Sequence, residues 1–203
     1  MKRFCCLILL AAGVLIAEDK LSIFGGQWTV PSAQDWKVAE EAGRPMLQLL
    51  VGREPVPGPR RPSQFALLEM APVTHAIVEA DVRPTKRSLM IVYAYQDASH
   101  FNYVHFSTDT AAKAAVHNGV FHVYGGERVR ISGREGAAAF AGINRWFHIK
   151  MEWDGSTGQV QGFVDGTPVP SLHAADLSLA SGRIGIGSFD EIGDFKNFKL
   201  ETK

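Results

Sequence analysis

The residues of this chain best suited to chemistry are three histidines, His105, His117 and His122. Imidazole exchanges a proton near neutral pH and is a common ligand of divalent metals. A two-residue turn at Asn118-Gly119 places His117 and His122 diagonally on one face of a hairpin, roughly 7 to 8 Å apart at Cα. The cluster predicts catalytic acids and bases, or metal ligands. The alternative is sheet-surface histidines that share no site.

Arg128 and Arg130 are candidates for holding a substrate. A turn at Gly125-Gly126 places both on the same side of a hairpin as Phe121 and Val123. Guanidinium groups so placed predict a clamp on a carboxylate or on sugar hydroxyls. Cross-strand ion pairing is the alternative.

Aromatic rings and carboxylates supply further candidates. Tyr103 could stack on a sugar ring or polarise a carbonyl group, and core packing is the competing interpretation. Glu79 and Asp81 are two carboxylates about 7 Å apart on the polar side of one strand, which suits binding or acid-base work and equally a solvated surface. The rings that could stack on sugars are Tyr93, Tyr95, Tyr103 and Trp153.

The metal requirement stays open from sequence. The acidic residues Asp190, Glu191 and Asp194 offer the oxygen ligands that calcium takes, but their spacing defines no calcium site. A divalent metal such as calcium is therefore a hypothesis without a predicted ligand set.

A hairpin from Ser88 to Ser107 must position Tyr103 and His105. Two runs of β-branched and aromatic residues flank a turn at Ala98-Ser99, and this register sets Tyr93 opposite Val104. Alternation then gives one face with Tyr93 and Tyr95 and another with Tyr103 and His105. Because neither face is plainly polar, we expect this hairpin in the middle of a layered β structure.

A proline-rich segment, residues 52–62, interrupts the strands. Its four prolines remove four backbone donors and exclude a central strand. A loop of this length predicts the rim of a binding site, or else a crossover that protects a sheet edge. Arg53, Arg60 and Arg61 would give such a rim affinity for anionic or hydroxyl-rich ligands.

The amino terminus indicates export. Residues 1–17 combine Lys2 and Arg3 with an apolar run from Phe4 to Ala17, as in a signal peptide, and the run is too short for a spanning anchor. Cleavage leaves a secreted or periplasmic domain, residues 18–203, without cysteine. Cleavage also leaves 19 of the 21 basic residues against 21 acidic ones, so the mature domain has a net charge near zero. This charge balance argues against nucleic acid as a partner and gives no reason for membrane insertion.

Turn signals about every ten residues, with almost no helical periodicity, predict an all-β sandwich or jelly roll of two antiparallel sheets. An immunoglobulin-like module is the alternative, although at least eleven candidate strands overfill it.

The order of several motifs resembles the 3-keto-disaccharide hydrolases, a family of concanavalin A-like jelly rolls. The motifs are the 36–38 strand, Glu79–Arg83, Tyr95–Asp97, Asn118–Val120, Val164–Gly166 and the ending Gly182–Gly187 with Asp194–Leu200. In that ending the resemblance implies glycines that let two sheets approach and phenylalanines that plug the sandwich. It also implies a carbohydrate ligand, and a base and a polarising group for cleavage beside a 3-keto sugar. A sugar-binding module without catalysis and an envelope interaction domain are the other hypotheses.

Overall fold

The computed structural model describes residues 19–54 and 57–203. The predicted signal peptide, residues 1–17, lies outside these ranges, so export stays a prediction. Within the described ranges, no helix has the length and apolar character needed to cross a membrane.

Two antiparallel sheets make up the described chain. The eight-stranded sheet has the spatial order β1 (Asp19–Ile23), β2 (Gly26–Val30), β5 (Gln64–Leu68), β14 (Arg183–Ser188), β7 (Ser88–Asp97), β8 (His100–Ser107), β9 (Gly119–Tyr124) and β10 (Arg128–Arg130). The seven-stranded sheet has the order β13 (Thr167–Ala175), β12 (Gln159–Val164), β11 (Phe147–Asp154), β6 (His75–Pro84), β15 (Gly193–Thr202), β4 (Arg44–Leu49) and β3 (Trp36–Glu41). A short 3₁₀ turn, Ala33–Asp35, precedes β3.

Alternating side chains bring the sheets together. Burial alternates residue by residue along β6, as its apolar-polar sequence predicts, and β11 beside it does the same. The buried side chains meet those of the opposite sheet in one apolar core. The predicted two-sheet jelly roll is thus confirmed, and the described strands are too many for the immunoglobulin alternative. Large members of the core are Trp28, Leu47, Leu89, Tyr93, Phe106, Trp153 and Phe195.

The eight-stranded sheet is also apolar on its outer face, the face turned away from the seven-stranded sheet. A second buried cluster lies there, so the middle strands β7 and β8 are buried on both sides. This explains why the sequence of the central hairpin is not plainly polar on either face. The cluster consists of Phe65, Leu67, Met90, Val92, Phe101, Tyr103, Phe121 and Val123.

A β-bulge in β7 corrects the predicted register. The turn is where the sequence places it, with Asp97 paired to His100, but Tyr93 faces Asn102 instead of Val104. The bulge lies between Tyr93 and Asp97, where Ala94 has a positive φ of 51°. Tyr95 consequently lies on the opposite face of the strand from Tyr93 and packs against the second buried cluster, on the outer face of the sheet.

Candidate functional site

Five of the seven predicted site residues lie at the outer face of the eight-stranded sheet. The rings of Tyr103 and His105 are 6.0 Å apart between centroids, and those of His105 and His117 are 5.4 Å apart. Arg128 and Arg130 extend from β10, and both guanidinium groups lie over the Phe121 ring of β9. Their register on β9 is the one predicted from the Gly125-Gly126 turn.

His105 is a buried, neutral imidazole. Its Nδ1 lies 3.2 Å from the carbonyl oxygen of Val116, which can only accept, so Nδ1 carries the proton. Nε2 is left as an acceptor, without a partner among the described residues. Burial, followed by the charges of His117 and Arg128, lowers the pKa of His105 to about 3.

Tyr103 presents a second polar atom that lacks a geometric hydrogen-bond partner in the described residues, its buried hydroxyl. Its ring stacks on Phe121 at 5.1 Å between centroids. Burial raises the pKa of Tyr103, and the neighbouring charge of Arg128 only partly opposes this. The hydroxyl therefore remains a neutral donor.

His117 is not part of a serine hydrolase triad. Its Nδ1 lies 3.1 Å from Ser107 Oγ and 3.8 Å from Asp109 Oδ2. A triad needs the serine and the carboxylate at opposite ring nitrogens, whereas both groups approach the same one here. Burial, and then the charge of Arg87, lowers the pKa of His117.

Arg130 uses its donors inside the protein. Its guanidinium donates to the carbonyl oxygens of Ala115, His117, Asn118 and Gly133 and to the Ser132 hydroxyl. Burial lowers its pKa to about 10. Arg130 thus fastens the loop before β9 to the sheet edge, which leaves Arg128 as the better candidate for a ligand clamp.

His122 lies apart from the other two histidines, which corrects the predicted pairing with His117. Asn118-Gly119 does not close a hairpin, because β9 pairs with β8 instead of the segment before it. His122 therefore points to the inner face, where Nδ1 lies 2.9 Å from Asn102 Oδ1 and 3.0 Å from Asp176 Oδ2. Asn118 instead anchors its loop through side-chain hydrogen bonds.

Glu79 belongs to the other sheet and cannot join the outer-face residues. It lies on the solvent side of β6, where its carboxylate is 3.6 Å from His148 Nε2. Asp81 on the same strand is 2.9 Å from His148 Nδ1. The placement of these carboxylates fits the solvated strand face that the sequence analysis left as the alternative.

The acidic residues near the end of the chain are held by protein donors. Glu191 accepts hydrogen bonds from the backbone of Arg87 and from Ser88, and Asp194 pairs with Arg83. Within the described residues, no group of three or more histidine, cysteine, aspartate or glutamate side chains is arranged to hold a metal ion.

The described part of the proline-rich loop runs along the outer face. Gln64 ties the ends of the loop together by accepting from the backbone of Arg53 at 3.1 Å. Farther along, the Arg60 carbonyl accepts from the Arg128 backbone at 3.1 Å, and Arg61 Nη1 lies 3.4 Å from the carbonyl oxygen of Gly126. This course places the loop at the rim of the face, as one of the two sequence hypotheses expects.

A cavity of about 350 Å³ opens between this loop and the sheet. Its floor contains Phe65 and Tyr95, whose rings meet edge to face at 5.7 Å between centroids. Sequence reasoning named Tyr95 only as one of several aromatic candidates and did not name Phe65. The walls include Pro57, Pro59, Pro62 and Leu67, and the polar groups at the cavity come from Thr29, Arg61 and Ser63.

Comparisons with known proteins identify the fold of this chain but do not assign it to a family. No family model matches the chain, and no curated protein matches it. The carbohydrate binding module CBM66 from Bacillus subtilis is similar over 86% of this chain and 95% of its own, with a TM-score of 0.61 and 16% identity. The fold is a concanavalin A-like jelly roll.

Two further solved structures agree with this fold. A candidate glycosyl hydrolase from Parabacteroides distasonis has a TM-score of 0.56 and 12% identity, covering 85% of this chain and 92% of its own. The metal-free lectin I-B4 of Griffonia simplicifolia has a TM-score of 0.50 and 12% identity, covering 92% and 91%. At these identities the likeness concerns the fold, and the resemblance to 3-keto-disaccharide hydrolases is supported only at that level.

Proposed function

We propose that this chain is an exported carbohydrate-binding protein that holds a saccharide in the cavity between the proline-rich loop and the outer face. The observation that carries the proposal is the aromatic floor of Phe65 and Tyr95. Sugar rings expose C–H groups that pack on aromatic faces. The similarity of the fold to a carbohydrate binding module and to a lectin supports the same ligand class.

The size and chemistry of the cavity suit binding. Its volume lies at the lower end of the ~300 to 1,000 Å³ typical of small-ligand sites. Apolar walls with a few polar groups, here Thr29, Ser63 and Arg61, are the usual composition of such sites. The described residues that line it include no carboxylate and no imidazole, so the cavity itself offers no acid-base pair.

Cleavage of a 3-keto-glycoside is the second candidate function. The observation that favours it is the group of His105, His117 and Tyr103 on the same outer face. In this hypothesis His117 accepts the C2 proton beside the ketone, which the Tyr103 hydroxyl polarises. The C1–O bond then breaks, the aglycone leaves as an alcohol that takes up a proton, and water adds to C1 to complete the hydrolysis. Release of glucose from a 3-keto-glucoside, lost in His117→Ala without loss of thermal stability, would support it.

Replacing Tyr95 by alanine is expected to weaken saccharide binding about tenfold. A stacked aromatic ring contributes roughly 1.4 kcal/mol to binding, and that free energy corresponds to a tenfold change in Kd. Ligands found on a glycan array would be measured by calorimetry with wild type and variant. Tyr124→Ala is the matched control, since that ring is 60% exposed and lies on the opposite face of its sheet.

Equal affinities of wild type and Tyr95→Ala, or an equal loss in Tyr124→Ala, would contradict this site. A silent glycan array together with an uncleaved 3-keto-disaccharide would contradict both candidate functions and leave the envelope interaction hypothesis.

A further inference from the structure

Several described arginines have no carboxylate partner, and three of them lie where the proline-rich loop meets β10. In the described part of the chain, the arginines that pair with carboxylates are Arg53, Arg83 and Arg87. The arginine cluster, defined here as Arg60, Arg61 and Arg128, is absent from these pairs. These three charges therefore remain available to an anion from outside the described chain.

Contacts place these three side chains in one region of the outer face. The guanidinium carbons of Arg60 and Arg128 lie 5.6 and 4.0 Å from the centre of the same Phe189 ring. The backbones of these two arginines are joined by a hydrogen bond, and Arg61 reaches the turn just before Arg128. Arg60 and Arg128 bring two like charges to the same ring, and because like charges repel, an anion bound between them would lower the free energy of this face.

Two buried polar side chains, Tyr103 and His105, lie near Arg128. Phe121 connects them, because the Arg128 guanidinium lies 5.8 Å from its ring centre and the Tyr103 ring stacks on its face. His105 Nε2 is buried without a hydrogen-bond partner in the described residues. The buried Tyr103 hydroxyl lies within hydrogen-bonding reach of the Arg128 guanidinium, whose charge opposes the rise of the Tyr103 pKa. These buried groups support Arg128 from below, and its guanidinium is the group of this set that can donate to an acidic substituent of a sugar.

We infer that the ligand is an acidic saccharide whose carboxylate or sulfate group binds the arginine cluster at the edge of the cavity. This inference rests on the proposed function and adds the class of saccharide. Arg61 connects the cavity to the arginine cluster, because it lines the cavity and is also a member of the cluster. The sugar ring then lies on the aromatic floor and its charge lies toward Arg128.

The test is calorimetry with defined oligosaccharides at about 20 and 200 mM salt. The probes are an oligogalacturonide, its neutral methyl ester, a chondroitin sulfate hexasaccharide and its desulfated, carboxyl-reduced counterpart. At low salt we expect at least one acidic probe to bind tenfold or more tightly than its neutral counterpart. The preference should shrink at high salt, because screening weakens attraction between exposed charges. Comparing the two acidic probes separates carboxylate from sulfate recognition.

Arg128→Gln is expected to reduce the preference for the acidic probe to less than threefold. Arg60→Gln, at an exposed loop position, should reduce it in the same direction and guards against a folding defect of the first variant. Arg145→Gln is the matched control, because Arg145 also lies over an aromatic ring, Phe147 at 4.6 Å, but is in the loop that precedes β11 of the other sheet. It should keep the wild-type preference.

Equal binding of acidic and neutral probes would overturn the inference and leave the proposed function intact. An unchanged preference in both cluster variants would also overturn it. Failure of every saccharide on the array and in calorimetry would instead remove the proposed function on which it rests.

Discussion

An alanine at position 187 is expected to lower the free energy of unfolding by about 3 kcal/mol, because overpacking against backbone cannot be relieved by a rotamer change. A Cβ at Gly187 in β14 would lie 2.5 Å from the Cα of Phe65 in β5 and would also meet the Gln64 carbonyl. Strand β5 would have to move, and the floor of the cavity would move with it.

Urea denaturation of wild type and Gly187→Ala measures this loss. Gly142→Ala is the matched control, since an added Cβ there meets nothing within 4 Å and the backbone is not left-handed. A Gly187→Ala protein as stable as the Gly142→Ala protein would show that the two strands do not approach as described.

Acidification from pH 7 to 4.5 is expected to cost about 2 to 3 kcal/mol of stability through His105, at 1.36 kcal/mol per pH unit below the unfolded pKa. The folded pKa of His105 is about 3, and the unfolded value is near 6.5. Between these values the unfolded chain binds a proton that the folded protein excludes. The contribution is therefore complete above pH 6.5 and is lost progressively as the pH falls toward 3.

Urea unfolding at several pH values tests this expectation. His105→Phe should flatten the slope between pH 6.5 and 4.5, leaving a smaller slope from half-buried His117, whose pKa is also lowered. His173→Gln, at an exposed position of β13, is the control and should keep the wild-type slope. A slope in His105→Phe as steep as that of wild type would contradict the buried neutral imidazole.

Local patterns in the sequence predict much of the fold. Strict alternation in β6 identifies its buried face, and the Asp165-Gly166 turn between β12 and β13 has the two positive φ values that its residues favour. The Gly125-Gly126 turn gives the register of Arg128 and Arg130. These features depend on neighbours in the chain, so a single sequence reveals them.

Features that depend on segments distant in the chain could not be predicted from the sequence. The bulge that moves Tyr95 to the outer face lies against Gly182, where a Cβ would come within 2.7 Å of the Ala94 Cα. The resemblance assigned the closing glycines to contacts between the two sheets. In the structure, Gly185 and Gly187 lie against β5 of their own sheet, whereas Phe195 does fill the core.

The position of the site could be predicted only in part. Side-chain alternation placed Tyr103 and His105 together, and the prolines predicted a surface loop that was either the rim of a site or an edge-protecting crossover. The cavity required the path of that loop over Phe65, which no local pattern contains. The separation of His122 and Glu79 from the other candidates likewise depends on strand order, which brings β9 beside β8 and places β6 in the other sheet.

Amide chemical-shift mapping with a bound saccharide would locate the ligand most directly. We expect the largest shifts at the non-proline residues of segments 29–31, 57–63 and 95–98 around the cavity, with smaller ones near Arg128. Shifts confined to the opposite surface, around Glu79 and His148 of the seven-stranded sheet, would contradict binding on the outer face.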